Sequence, residues 1–505
     1  MALKLKLNRR SKVDLSEQLY ETLKQLILDG ELTAGERMPS SRDLSAQLKI
    51  SRPTVAVCLE QLQQEGYIEL KHGSGTFVSN QIRAKAPTSA LRKVETAKKN
   101  GAGDERKTQK TPLSNYARAM QKSDAQKMSA EAGAGAGAEA EPEIAFYCWR
   151  PALDQFPHEQ WARILGRHAR LSDIELSDTP LDHRGETALR EAIAGLVLRF
   201  RGVKCSSEQV IIVNGLSQAI DLVGRLHLET GKTAVVEEPG YHNARKSFAA
   251  LGAKIVSAPV DEEGLQVESL VRGKTAPGLV YVTPSHQFPT GQTMSLARRL
   301  QLLDWASRHS TLILEDDYDS EYQKVGKPIP ALMSLDKEGS VIYAGTLNQL
   351  MFPSLGLAYL VVPPHLVSLY NEARAFAGAP LPPHLQKAIA QFIEEGHLDR
   401  HIKRLRNLYD ERRQILLDEL ETKLPGLVTI SGTESGVFVL ARFKTKLTTA
   451  EFLRRAQKAG VGLADTSALY AGKAPPNEYI LGFGSLSNRK IKDGVKRLAE
   501  ILKRA

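Results

Sequence analysis

The chain has 505 residues, too many for one hydrophobic core, so two to four domains are expected. Its apolar content of 42% and charged content of 25% are those of a soluble globular protein, and no run of about 18 apolar residues exists to span a membrane. The three cysteines (Cys58, Cys148, Cys205) form no CxxC pair and MALKLKLNRR lacks a following apolar stretch, which excludes a disulfide framework, a structural zinc site and a signal peptide and points to the cytoplasm.

The net charge of +10 is informative only where it is localised. Residues 1–128 hold much of it, in KLKLNRR, RKVETAKK and ERKTQK, although such runs read equally well as solvated linker. Within this region Asp14 can cap a helix whose Leu15, Leu19, Leu23 and Ile27 recur every four positions, with Gly30 as its stop. A short helix follows Ser40 or Ser41, with Leu44 and Leu48 inward. Ser51 then caps a third, SRPTVAVCLEQLQQEGY, with Pro53 in its first turn and Val55, Leu59 and Leu62 facing the core. Arg52 and Thr54 remain at the open N-terminal end, where a recognition helix presents side chains to the major groove. YIELKHGSGTFVS reads as strand, glycine turn, strand, a wing with Lys71 and His72 beside Gly73 and Gly75. A small helical module that merely packs on a larger domain is the competing reading.

Residues 80–143 are poor in large apolar side chains and end in AEAGAGAGAEAEPE, the composition of a flexible linker, although TPLSNYARAM at 111–120 has apolar residues suited to local docking. About 60 such residues would give an r.m.s. reach on the order of 40 Å. From 144 to 505, QVIIVNG, KTAVVEEPG, GLVYVTPS, STLILEDDY and SVIYAGT are continuous apolar runs between amphipathic helices, the pattern of an α/β domain. The LEDDYDSEY strand end puts carboxylates where open α/β sheets hold ligands, although an acidic cluster alone is equally a solvated loop or a cation site. VNGLSQAID is a strand, tight turn and helix start, whose unpaired first-turn N–H groups make an anion cradle.

GERMPSSRDLSAQLKISRPTV and EGYIELKHGSGTFV resemble the GntR family of winged-helix regulators, which implies double-stranded DNA as partner. By that resemblance Arg42, Ser51, Arg52, Thr54, His72 and Gly73 contact DNA, Arg52 reading a base edge. Ala56 stands where some relatives carry arginine. LDHRGETALREAI, EEPGYHNAR, VTPSHQFPTGQTMSLARR, ILEDDYDSEY and LGFGSLS resemble fold-type-I enzymes that use pyridoxal 5′-phosphate (PLP), and the whole resembles the MocR branch of GntR regulators. The fold class expected is therefore α/β: a winged helix at 12–79, a linker at 80–143 and an aminotransferase-like effector and dimerisation domain at 144–505.

Carried over residue by residue, Asp316 would pair with a pyridine nitrogen, Tyr318 with the ring hydroxyl near His286, Tyr241 would border the ring, and Leu216 and Ser217 would bind phosphate. In VIYAGTLNQLMFPSLGLAYLVVP the lysine that forms the imine is Gln349 and a phosphate-binding arginine is Gly356. A glutamine amide neither forms an imine nor shuttles protons, so no catalytic residue, no metal and no covalent cofactor are expected. ADTSALY likewise offers no arginine for a substrate carboxylate, with Ala468 at that position. The resemblance implies a homodimeric regulator binding non-covalent PLP or another small effector; the alternative is a PLP-dependent enzyme carrying a regulatory DNA-binding domain.

Overall fold

The computed structural model describes residues 7–9, 11, 13–71, 74–80, 113–122, 142–170, 182–272, 276–323, 330–434 and 436–504. The chain divides into two compact units, Met1–Lys110 and Thr111–Ala505.

In the first unit, helices α1 (Leu15–Leu28), α2 (Ser41–Leu48) and α3 (Arg52–Gln64) precede a hairpin of β1 (Ile68–Lys71) and β2 (Gly75–Val78). Each helix start is fixed by a side chain that satisfies orphan N–H groups. Asp14 accepts from the Leu15 N–H at 2.7 Å, Ser40 and Asp43 form a reciprocal capping box on α2, and the Ser51 hydroxyl accepts from the Thr54 N–H at 3.2 Å. Leu19, Leu23, Leu44, Val55 and Leu62 are fully buried and close one core. The expected inward face of α3 is turned slightly: Cys58 is fully buried, whereas Leu59 is only half-buried. The hairpin is antiparallel, with Ile68 opposite Val78 and Lys71 opposite Gly75.

In the second unit, a short α4 (Asn115–Lys122) lies within the stretch expected to be linker. It packs on the helix His242–Ala250, and the Arg225 guanidinium stands 5.9 Å from the Tyr116 ring centroid. The remainder of 80–143 lies largely outside the described residues. β3 (Ile144–Ala145) then pairs in parallel with β14 (Val461–Gly462), tying the start of this unit to its C-terminal part.

The central sheet is built from β4 (Val210–Val213), β5 (Thr233–Glu238), β6 (Lys254–Asp261), β7 (Gly264–Leu265), β8 (Leu279–Val282), β9 (Leu312–Asp317), β10 (Val341–Thr346) and β11 (Ala358–Val361). Their order is β4-β11-β10-β9-β8-β5-β6-β7. β6, β5, β8, β9 and β10 run parallel; β11 is antiparallel to both β10 and β4. All five apolar runs singled out in the sequence are strands of this sheet, buried on both faces as continuous hydrophobic runs require. A second, antiparallel sheet carries β12 (Val428–Ser431), β13 (Phe438–Phe443), β15 (Ala464–Asp465) and β16 (Glu478–Gly482) in the order β12-β13-β16-β15. The parallel strands bring the ends of β5, β8, β9 and β10, and the turn after β4, to one edge of the sheet. No helix among the described residues is long and apolar enough to cross a membrane.

Candidate functional site

On the first unit, the start of α3 is an exposed basic corner. Arg52 and Arg42 are both exposed and make no ion pair among the described residues. Ser51 and Thr54 have hydroxyls 2.6 Å apart, so the cap holds them together at the helix end. The turn before α3 bends through Lys49, at a left-handed φ of +54°, and Arg9 donates to the carbonyls of Leu48 and Lys49 at 3.3 and 2.7 Å. At the start of α2, Asp43 is held below the usual carboxylate range by hydrogen bonds from Ser40. Beside the hairpin, Arg37 bridges to Phe77 and its guanidinium lies against Gly75, while the Lys71 ammonium stands over the Phe77 ring at 5.1 Å. His72 and Gly73, at the tip of the expected wing, lie outside the described residues. Arg9 and Arg37 were missed by sequence reasoning because neither belongs to the recognition helix or the hairpin; only folding brings them there.

On the second unit, a cavity of about 150 Å³ opens at the carboxyl edge of the central sheet, lined by Trp149, Leu216, Tyr241, Thr283, Phe288, Asp316, Tyr318, Thr346, Asn348 and Gln349. Its floor is Asp316, near the end of β9. One carboxylate oxygen accepts from the Tyr281 hydroxyl, and the other, Oδ1, is buried with no hydrogen-bond partner among the described residues. Burial, reinforced by the neighbouring Asp317, Glu237 and Asp319, pushes the Asp316 carboxyl up to about 7, against the lowering effect of Tyr281. Glu237 is likewise pushed up to about 7 by burial, while its Oε2 accepts from the Thr283 hydroxyl at 2.6 Å. Tyr241 caps the helix His242–Ala250, its ring edge-on to Phe288 at 6.1 Å. Trp149 meets Phe288 and Tyr318 at 5.1 and 5.0 Å, so aromatic rings form much of the wall.

Opposite Asp316, Leu216 opens the helix Leu216–His227 immediately after β4. Ser217, the second residue of that helix, is exposed and is not among the lining residues. His286 lies beside Tyr318, its Nδ1 3.2 Å from the Tyr318 hydroxyl. Its Nδ1 pairs with Asp319 at 2.9 Å, its ring stacks on Phe438 at 4.7 Å, and it does not line the cavity. The Tyr318 hydroxyl donates to the His286 carbonyl at 2.6 Å, so it can offer a ligand only its lone pair. Ala468 lies in the short turn Ser467–Leu469 and contributes nothing to the lining. Gln349 is buried at the cavity wall, and Asn348 accepts from the Leu357 N–H at 3.0 Å, bracing the loop between β10 and β11. In that loop Gly356 has φ +63°, and its carbonyl oxygen lies 3.9 Å from where a Cβ on Gly215 would stand. Position 356 therefore borders the helix N-terminus. Trp149, Thr283, Phe288 and Thr346 were not foreseen; they converge from three separate segments, Thr283 and Phe288 coming from one loop after β8.

The aminotransferase resemblance implies PLP, and the cavity fits only half of it. An unpartnered, buried carboxylate oxygen suits a ring N–H. Among the described residues, no lysine, arginine or histidine lines the cavity, and glycine stands beside the helix start at 356. The residues present do not fit a covalently held, phosphate-bearing cofactor. Among the described residues, no group of three His, Cys, Asp or Glu is placed to hold a metal.

Over residues 15–78 the chain matches bacterial regulatory proteins of the gntR family, and over 157–475 it matches aminotransferase class I and II. It is 35% identical to the probable rhizopine catabolism regulatory protein MocR of Rhizobium meliloti, over 98% of this chain and 95% of that one. It is 29% identical to the HTH-type pyridoxine biosynthesis transcriptional regulator PdxR of Corynebacterium glutamicum, over 96% and 95%. Among solved structures it resembles the kynurenine aminotransferase of Pyrococcus horikoshii, with a TM-score of 0.66 and 29% identity over 72% of this chain and 92% of that one. An archaeal alanine:glyoxylate aminotransferase gives a TM-score of 0.68 at 25% identity, over 78% and 96%. The fold is thus shared with enzymes, whereas the full-length relatives are named as regulators. With a GntR winged helix ahead of an aminotransferase fold, and such relatives spanning nearly its whole length, the chain belongs to the MocR branch of the GntR family of transcription regulators.

Proposed function

We propose that this protein is a homodimeric, sequence-specific DNA-binding regulator that works in the cytoplasm, and that its aminotransferase-like unit, 144–505, senses a small effector without catalysing transamination. The winged helix, 12–79, would place the start of α3 in the major groove, with Arg52 reading a base edge and Arg42, Ser51, Thr54, His72 and Gly73 holding the backbone. The observation that carries the DNA half of this reading is the basic corner at the start of α3, free of ion pairs among the described residues. Arg9 and Arg37 add phosphate contacts on either side of it.

For the second unit, the carrying observation is Gln349 in the cavity wall, which by the family resemblance replaces the imine-forming lysine. The cavity then remains a binding site and loses its chemistry. Bound effector would act by favouring one arrangement of the dimer, which requires unequal affinity for the two states.

The test is selection of an operator from random duplexes, followed by fluorescence anisotropy with wild type and Arg52→Ala. A loss of about 1–3 kcal/mol on the operator is expected, with a much smaller loss on random DNA. Equal binding of both duplexes by both proteins would remove the recognition-helix assignment.

A further inference from the structure

The cavity's charge runs opposite to that of a PLP site. Among the described residues its lining holds one carboxylate, Asp316, which is buried, with Oδ1 unpartnered there and the further acids Glu237, Asp317 and Asp319 nearby. Arg201, Arg245 and Arg374 are not among the lining residues: Arg201 pairs with Asp317, Arg245 with Glu238, and Arg374 donates to the Ile212 and Gly378 carbonyls, while Arg245 Nε and Arg374 Nη2 keep no partner among the described residues. Among the described residues, what favours an anion at the cavity is the N-terminus of the helix Leu216–His227. An exposed helix terminus favours an anion by about two- to fivefold. A hydrogen bond from a cation to a buried carboxylate is worth about ten- to a hundredfold, so the carboxylate decides the sign.

Size and shape narrow the ligand further. A cavity of about 150 Å³ is the size at which a protein interior accepts one benzene ring. Trp149, Tyr241, Phe288 and Tyr318 offer ring faces and edges suited to a flat cation. Taking the cavity as the effector site proposed above, we propose that it prefers a small protonated nitrogen heteroaromatic, a single six-membered ring bearing a ring N–H and no phosphate, over PLP. The ring N–H donates to Asp316 Oδ1, and the ring lies among the four aromatic side chains. Gln349, Asn348 and Thr346 provide neutral donors and acceptors for ring substituents.

The test is calorimetric titration of the full-length protein and Asp316→Asn with three probes. These are 4-aminopyridine, which is protonated on its ring nitrogen at neutral pH, aniline as a neutral ring of the same size, and PLP. Wild type should bind 4-aminopyridine at least about tenfold more tightly than aniline, and more tightly than PLP. Asp316→Asn should erase the first difference while leaving aniline unchanged, which also shows that the variant cavity is folded. Tighter binding of PLP, equal binding of 4-aminopyridine and aniline, or no binding of any probe overturns the proposed ligand class. The effector reading is judged separately, by operator affinity with each bound probe. A probe that binds and leaves operator affinity unchanged counts against sensing, and PLP binding that shifts it keeps sensing while removing the ligand class.

Discussion

Replacing Asp316 by asparagine should make the protein more stable at neutral and alkaline pH. The carboxyl is raised from 3.8 to about 7 in the folded chain, chiefly by burial. At 1.36 kcal/mol per unit, this sets a ceiling of about 4 kcal/mol on what its ionised form subtracts from stability. The folded state holds the proton more tightly than the unfolded chain. Stability therefore falls as pH rises from about 4 to about 7, and the whole penalty is present above that. Asparagine has no proton to lose and keeps an oxygen for the Tyr281 hydroxyl. Below about pH 4 both proteins carry a neutral group and should differ little. Above about pH 7.5 the variant should gain about 1–4 kcal/mol, the lower figure applying if water entering the open cavity screens the charge. Glu237 titrates in the same window in both proteins and largely cancels in the difference. Thermal melts of the two proteins from about pH 4 to 8.5 give the difference curve directly. A variant less stable at pH 8, or a difference that does not change with pH, would refute the view of Asp316 as a charge kept for a ligand at the fold's expense.

Three further outcomes test the surrounding structure. Asp317→Ala leaves the buried Arg201 guanidinium without its carboxylate and the Tyr343 hydroxyl without its acceptor, so urea unfolding should show a loss of about 3–5 kcal/mol. A loss under about 1 kcal/mol would mean that the Arg201 charge is solvated. Gly345→Ala puts a Cβ 2.4 Å from the Tyr359 ring, and a destabilisation of about 1–3 kcal/mol is expected from overpacking between β10 and β11. An unchanged melting temperature would show that Tyr359 can move aside. With excess PLP, Gln349→Lys should form a borohydride-reducible adduct, detected by mass, that wild type does not form. Its absence would show that the pocket has diverged beyond residue 349.

Much of the architecture was readable because it rests on local rules. Caps at Asp14, Ser40 and Ser51 announce the first three helices, and uninterrupted apolar runs announce strands buried on both faces. The strand order was not readable: β11 enters between β4 and β10 in the opposite direction, and only long-range packing decides that. The rotation of α3 that buries Cys58 rather than Leu59 is a matter of one residue step, about 100° around a helix. Around the cavity, Leu216, Tyr241, Asp316, Tyr318 and Gln349 converge, each next to a strand end or helix start that the sequence marks. His286 stands behind Tyr318 with its Nδ1 on Asp319, a pairing across 33 residues that no periodicity signals. Trp149 reaches the site from far earlier in the chain and at φ +66°, which a reading by propensity would not assign to tryptophan.

The left-handed turn at Gly356 also bears on how this pocket could be altered. A lysine can return to position 349 without altering the backbone. An arginine at 356 would have to hold φ +63°, a conformation that disfavours a side chain by about 1–2 kcal/mol. A variant with lysine at 349 alone would still lack a cation for a phosphate, and one with arginine at 356 alone would lose stability before gaining any ligand. The turn thus sets the order in which a phosphate site could be built here: position 349 takes a cation at no backbone cost, position 356 only against that strain.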